Sequence, residues 1–158
     1  LGVMGTGLPY AIGCKIANPT LDVINIDGDS SFMMTMGDLK TIAEYNIPIK
    51  IIILNNNSQD MVRVWETLFF NGRITATENK ANPSFVEMVK SFNIHGLYCD
   101  NSKDLPDMIA ELLHYNKPVL LECKVDKDMC LPLVPPGAGL DEMILHKSDA
   151  IIDKSDSF

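Results

Sequence analysis

The sequence predicts an α/β fold, a doubly wound, mostly parallel sheet with helices on both faces. Three observations predict it. Two apolar runs rich in Ile and Val, Asp22–Asp27 and Ile49–Leu54, each stop at a polar cluster, as buried parallel strands do. Segments with helical spacing alternate with such runs along the chain, which is the pattern of a parallel sheet with crossover helices. The polar clusters, Gly28-Asp29-Ser30-Ser31 and Asn55-Asn56-Asn57, fall just after the runs, where open α/β sheets place their ligand sites.

The elements follow in order. Leu1–Gly13 reads L-G-V-M-G-T-G-L-P-Y-A-I-G, and its glycines at 2, 5 and 7 permit tight turns. Pro9 suits a first helical turn, so a helix is expected to about Ala17, before Asn18-Pro19. The dinucleotide fingerprint G-x-G-x-x-G is not met, because position 10 is Tyr. Asp22–Asp27 is the first strand, Phe32–Met36 a short connection, and Gly37–Tyr45 a helix with Leu39, Ile42 and Ala43 inward. Ile49–Leu54 is the second strand. Gln59–Phe70 carries Met61, Val64, Trp65, Leu68 and Phe69 at helical spacing, with Val64 and Leu68 read as core.

Asn71–Asn82 is polar and reads as an exposed loop. Ser84 with Glu87 three residues on matches a capping box, opening a helix that buries Phe85, Met88, Val89 and Phe92. Ile94–Tyr98 is a third strand. Ser102–Tyr115 is an amphipathic helix with Leu105, Ile109, Leu112 and Leu113 inward. Lys117–Val125 is a fourth strand. The Pro- and Gly-rich stretch Met129–Leu140 is expected to wrap the surface. Asp141–His146 would be a last helical turn, and Asp153–Phe158 a disordered end.

Composition narrows the function classes. At 158 residues, 46% hydrophobic and 22% charged, the chain can bury one ordered core. The net charge of −8 argues against nucleic acid and anionic membranes as partners. Cys14, Cys99, Cys123 and Cys130 form no C-x-x-C pair, which favours reduced, intracellular thiols over zinc or a disulfide framework. No apolar run is as long as a membrane span. The chain starts at Leu1 within a functional-looking loop, so it is read as the C-terminal part of a longer polypeptide, a domain over 1–146 with a flexible tail over 147–158.

Asp29 and Asn56 lie 27 positions apart, room for a loop, a crossover helix and a strand. A carboxylate, an amide oxygen and nearby carbonyls form a hard oxygen site suited to magnesium held against a diphosphate.

These residues carry a resemblance. I-G-x5-P-x4-I-x-I-x-G-D-S-S over Ile12–Ser31, completed by Asn55-Asn56, resembles the signature of the thiamine diphosphate enzymes. Within that superfamily, M-G-T-G-L-P-Y-A-I-G, Q-D-M-V-R-V-W-E-T-L-F-F and P-P-G-A-G-L-D-E-M-I resemble the catalytic subunits of the acetolactate synthase (acetohydroxyacid synthase) family, over roughly residues 1–146. The resemblance implies a transferase of branched-chain amino acid biosynthesis. It decarboxylates pyruvate and joins the two-carbon unit to a second 2-keto acid.

The resemblance also implies roles for single residues. Asp29, Asn56 and the backbone carbonyl of Ser58 would ligate magnesium. Met4, Gly28, Ser30, Ser31, Gln59 and Met61 would contact thiamine diphosphate, and Met61 and Trp65 would line the substrate channel. The activating glutamate and most of the family's FAD site belong to other domains. No catalytic residue is therefore assigned in this chain, which is expected to be inactive alone.

The partners implied are small 2-keto acids, further copies of the subunit in a dimeric or larger assembly, and a regulatory subunit. The compartment implied is the cytoplasm of a bacterium, or a plastid or mitochondrion. One position departs from the family pattern: Asp60 stands where Gly is usual.

Three other readings compete. One is a different thiamine diphosphate-dependent 2-keto acid decarboxylase. Another is a non-catalytic cofactor-binding module. The third is a haloacid-dehalogenase-type phosphatase, which D-G-D-S-S resembles, with Asp27 as nucleophile and Asp29 as acid/base. That third reading leaves the paired asparagines unexplained.

Overall fold

A computed structural model describes residues 2–128 and 130–146. The described chain forms two compact units, one of residues 1–57 and 80–126, the other of 58–79 and 127 onward. The first unit contains the sheet. Its strands are β1 (Ile24–Gly28), β2 (Lys50–Asn55), β3 (His95–Cys99) and β4 (Val119–Lys124). They are parallel throughout and ordered β1-β2-β4-β3. Each lies within two residues of the boundaries that the apolar runs predict.

The helices of this unit are α1 (Gly7–Ala17), α2 (Asp29–Met33), α3 (Leu39–Tyr45), α5 (Phe85–Ser91) and α6 (Leu105–His114). A right-twisted strand that moves one way across a sheet returns its crossover on one face, and a reversal of direction sends the crossover to the other. The connections from β1 to β2 and from β2 to β3 run in one direction, whereas β3 to β4 turns back. Accordingly α1, α2, α3 and α5 build one core with Ile51, Ile53 and Leu120, centred on Phe32, Leu39, Ile42, Phe85 and Val89. Helix α6 covers the other face through Leu112, with Met108 and Ile109 beside Leu97, Val119 and Leu121.

Four local expectations are corrected. The stretch after β1 is not a plain connection: Asp29–Met33 is already helical, and a 3-10 turn at Met36–Asp38 precedes α3. Leu105 and Leu113 on α6 are exposed rather than inward, because α6 supplies the only helical residues of the core on that face of the described sheet unit and meets the sheet along a narrow stripe. For the same reason Ile26, at 64% exposure, and Leu54 are bare on that side of β1 and β2, so these runs are buried on one face more than on both. The last turn is a 3-10 turn at Leu140–Glu142, after which Ile144 bridges Leu133 in antiparallel fashion.

The second unit is built on α4 (Asp60–Phe69). Glu66 fastens the following loop to it, accepting hydrogen bonds from the Thr75 backbone N–H at 2.9 Å and the Thr77 hydroxyl at 2.7 Å. Thr77 is therefore buried within a segment expected to be exposed. The expected tail, 147–158, lies outside the described residues.

Helix α5 starts as its sequence predicts. The Ser84 hydroxyl accepts from the Glu87 N–H at 3.2 Å. Phe32 and Phe85, both without solvent exposure, meet edge to face with ring centroids 5.7 Å apart. Truncating either ring to Ala should cost about 3–5 kcal/mol of stability through lost burial and a residual cavity. Denaturant titration of Phe85→Ala checks this; a loss below about 1 kcal/mol, typical of a surface substitution, would mean the ring is not a core anchor.

Candidate functional site

The carboxyl ends of parallel strands lie along one edge of the sheet, and the predicted residues of the first unit gather there. Gly28 closes β1 and precedes Asp29, the first residue of α2. A Cβ at Gly28 would meet nothing within 4 Å, so the backbone there faces open space beside Asp29. Ser30 and Ser31 continue the first turn of α2. The Ser31 hydroxyl accepts from the Gly5 N–H at 2.9 Å, tying the Met4 turn to this helix. Gly2 and Gly5 on either side of that turn both have positive φ, which only glycine adopts freely. Met4 itself is partly exposed.

Gly7 has a different reason to be glycine. A Cβ there would lie 2.6 Å from Asn25 Oδ1 and 2.9 Å from Asp27 Oδ2, so α1 packs against the polar side of β1 only without a side chain. Asp27 Oδ1 accepts from the Gly28 N–H, and Oδ2 is buried against α1. The side chain of Asp27 thus packs toward α1 and not over the strand end, which removes the geometric basis for the phosphatase reading.

Asp29 is 1% exposed. Its Oδ2 accepts from Asn82 Nδ2 at 2.6 Å, and that same nitrogen lies 3.1 Å from Asn57 Oδ1 and 3.4 Å from Asn55 Oδ1. One carboxylate and two amide oxygens therefore converge on a single donor. Asn55 Oδ1 also accepts from the Asn57 N–H at 3.1 Å, an Asx turn, and Asn57 has φ 54°, a left-handed conformation that Asn tolerates. The turn bends the chain just past β2, with Asn56 at its middle.

Sequence reasoning named Asp29 and Asn56 but not Asn82, which contacts Asp29 on one loop and Asn55 and Asn57 on the other. It also missed Glu122, whose carboxylate accepts from Asn55 Nδ2 at 2.8 Å. A charged residue inside the apolar run V-L-L-E-C-K-V was the available signal.

The other predicted residues lie in the second unit. Ser58 is buried, its hydroxyl donates to the Thr77 carbonyl at 3.2 Å, and its backbone bridges Glu78. The Gln59 N–H donates to the Thr77 carbonyl at 2.8 Å. Met61 is exposed on the first turn of α4. Trp65 is half-buried and meets Phe69 edge to face at 5.0 Å.

The unusual Asp60 has a plain local explanation. It is the first residue of α4, its φ is not positive, and its Oδ1 accepts from Arg63 Nε at 2.5 Å. The position needs no glycine, and the carboxylate is turned to its own helix.

The donor set fits a hard divalent cation, with one carboxylate and amide oxygens and no sulfur or imidazole among them. Among the described residues no three His, Cys, Asp or Glu gather as a metal cluster, so the oxygens would come largely from amides and the backbone. All four cysteines are free thiols, and burial raises the pKa of Cys123 above its usual value. No helix of the described residues is long and apolar enough to cross a membrane.

Comparison with known proteins decides the family. The description "Thiamine pyrophosphate enzyme, C-terminal TPP binding domain" matches residues 1–123. The chain belongs to this family. Its fold is similar to that of the thiamine diphosphate-dependent 4-hydroxybenzoylformate decarboxylase of Rhodococcus jostii RHA1. The TM-score is 0.73 at 28% identity, over 79% of this chain and 24% of that one. Among curated proteins it is 44% identical over 149 residues to a mitochondrial acetolactate synthase of Schizosaccharomyces pombe, covering 94% of this chain and 22% of the relative. It is 39% identical over 145 residues to the acetolactate synthase isozyme 2 large subunit of Escherichia coli, covering 91% of this chain and 26% of the relative. The chain thus spans about a quarter or less of the length of the relatives it matches.

The Asp60–Arg63 pair is partly exposed, with side chains at 23% and 18%. Asp60→Asn should therefore lower stability by only about 0.5–1 kcal/mol, from a screened ion pair and a lost N-terminal charge. Urea denaturation of the variant checks this, and a loss of several kcal/mol would contradict the screened-pair assignment.

Proposed function

We propose that this chain is the cofactor-binding part of an acetolactate synthase catalytic subunit. The convergence of Asp29, Asn55 and Asn57 at the strand ends, in a chain of this family, carries the reading. Thiamine diphosphate, when bound, would supply the electron sink for decarboxylating a 2-keto acid. The residues of the chain would hold it. Asp29 and Asn56 would ligate a magnesium ion, and the resemblance adds the Ser58 carbonyl to the ligands. Gly28, Ser30 and Ser31 would meet the diphosphate with backbone N–H groups and hydroxyls. Met4, Gln59 and Met61 would contact the organic part of the cofactor. With Asp29 buried, a cation would compensate the diphosphate charge where water cannot.

The whole protein would decarboxylate pyruvate and join the two-carbon unit to a second 2-keto acid, as the names of its curated relatives suggest. FAD and the residue that activates the cofactor would be supplied by parts of the protein beyond this chain. A homodimer or larger assembly, with or without a regulatory subunit, is the form we propose. Mitochondrial and bacterial relatives make an intracellular location the natural reading. A different thiamine diphosphate-dependent decarboxylase is the second reading, favoured by the fold match to such an enzyme; the higher identity to acetolactate synthases outweighs it.

Asp29→Ala should abolish magnesium-dependent binding of thiamine diphosphate. Calorimetric titration with and without magnesium tests it, and unchanged affinity would overturn the site.

Trp65 tests the substrate channel. It lies nine positions past Asn56, about two helical turns into α4, and is neither fully buried nor free. A pocket wall distinguishes one methylene by about 1–3 kcal/mol. In the full-length protein, Trp65→Leu should reduce the preference for 2-ketobutyrate over pyruvate as acceptor and leave decarboxylation largely intact. Product ratios from mixed substrates, read beside a melting curve, decide. An unchanged ratio with a large drop in Tm would assign Trp65 to packing with Phe69 alone.

A further inference from the structure

Glu122 sits in the interior of β4, 5% exposed, between Ile53 of β2 and Tyr98 of β3 in the sheet register. A carboxylate at such a place is costly unless its oxygens are hydrogen-bonded. Both are. Oε1 accepts from Asn55 Nδ2 at 2.8 Å, and Oε2 accepts from the Phe85 backbone N–H at 3.1 Å. Phe85 is the first residue of α5, so its N–H has no partner within the helix.

Each bond has a consequence one step further on. The amide of Asn55 has one donor end and one acceptor end. Glu122 can only accept, so it draws the Nδ2 end toward β4 and turns the Oδ1 end to the loop. There Oδ1 closes the Asx turn with the Asn57 N–H. A reversed amide would set its NH2 against that N–H, donor against donor, and the turn around Asn56 would open. The second bond fixes the corner Pro83-Ser84-Phe85. Asn82, which immediately precedes that corner, carries the nitrogen on which the oxygens of Asp29, Asn55 and Asn57 converge.

We propose that Glu122 is a positioning residue for the cation site. It would touch neither cation nor cofactor. It sets the amide orientation of Asn55, and with it the turn that presents Asn56, and it anchors the segment that sets Asn82 beside Asp29. The proposal rests on the reading of Asp29 and Asn56 as cation ligands.

The test uses the full-length protein carrying Glu122→Gln, with Asp29→Ala in parallel. A glutamine keeps the volume but offers one acceptor where two donors wait. Outer-shell partners of metal sites are worth about 10- to 100-fold in affinity, and a loss of that size is expected in magnesium-dependent thiamine diphosphate binding by calorimetry. In the cofactor-free protein, hydrogen exchange of the segment 55–58 should be faster. The pair Glu122→Gln with Asn55→Asp restores every donor–acceptor match: the glutamine carbonyl accepts from Phe85 and its NH2 donates to the new carboxylate, whose other oxygen keeps the turn. This double variant should recover most of the affinity and the slow exchange.

Affinity of Glu122→Gln equal to wild type while Asp29→Ala abolishes binding would overturn the proposal. So would a folded double variant that binds no better than the single one. If Glu122→Gln does not fold, the double variant decides by the same measure: affinity near wild type supports the role, and loss in a folded protein overturns it. Normal binding by Asp29→Ala would refute the cation site itself. The exchange of 55–58 in the cofactor-free protein would then decide whether Glu122 orders the loop.

Discussion

The pairing of β2 with β4 is the contact on which the sheet unit depends. Each is hydrogen-bonded on both edges, and together they bring Lys50–Asn55 beside Val119–Lys124, segments about 70 positions apart in the chain. Closing a loop of that length is entropically unfavourable until strand pairing and core burial offset it. The offset is visible in Ile51, Ile53, Val119, Leu120 and Leu121, all without solvent exposure. The same pairing puts Glu122 within reach of Asn55, so the contact that builds the sheet also orders the loop at its carboxyl edge.

A parallel sheet has its own logic for function. All strands end on one edge, and helices that follow them begin there. Asp29 starts α2 at the end of β1, and the asparagine loop leaves the end of β2. Neither residue lies near the other in sequence, yet adjacent parallel strands make their loops neighbours. The polar network among Asp29, Asn55, Asn57, Asn82 and Glu122, buried at Asp29, Asn55 and Glu122, then does what an apolar core cannot. It fixes the orientation of individual oxygens, because a donor and an acceptor match in only one way.

Sequence alone reached a long way for physical reasons. Buried strands must be largely apolar, so Ile- and Val-rich runs located β1 and β2, and shorter apolar runs β3 and β4, each within two residues. Helices with one buried side must repeat at 3.6 residues, which located α3, α5 and α6, and Ser84 announced the start of α5 through its cap. The polar clusters after β1 and β2 stood out because they interrupt the apolar pattern. That interruption is what singled out Asp29 and Asn56, and the motif resemblance supplied the family.

Tertiary structure decided what depends on partners distant in the chain. Periodicity marked Leu105 and Leu113 as inward, but the narrow stripe along which α6 meets the sheet, through Leu112, Met108 and Ile109, leaves them exposed. Asn82 looked like an ordinary loop residue; its role comes from Asp29, 53 positions away, meeting it in space. Gly7 read as one of three turn-permitting glycines, whereas the side chains of Asn25 and Asp27 on β1 are what exclude a Cβ there. Asp60 looked like a misplaced charge until Arg63 and an ordinary helical φ accounted for it. A sequence records which residues are apolar, polar or flexible, and these properties fix elements one at a time. Which amide faces which carboxylate is a property of the pairing of elements, and only the folded chain holds it.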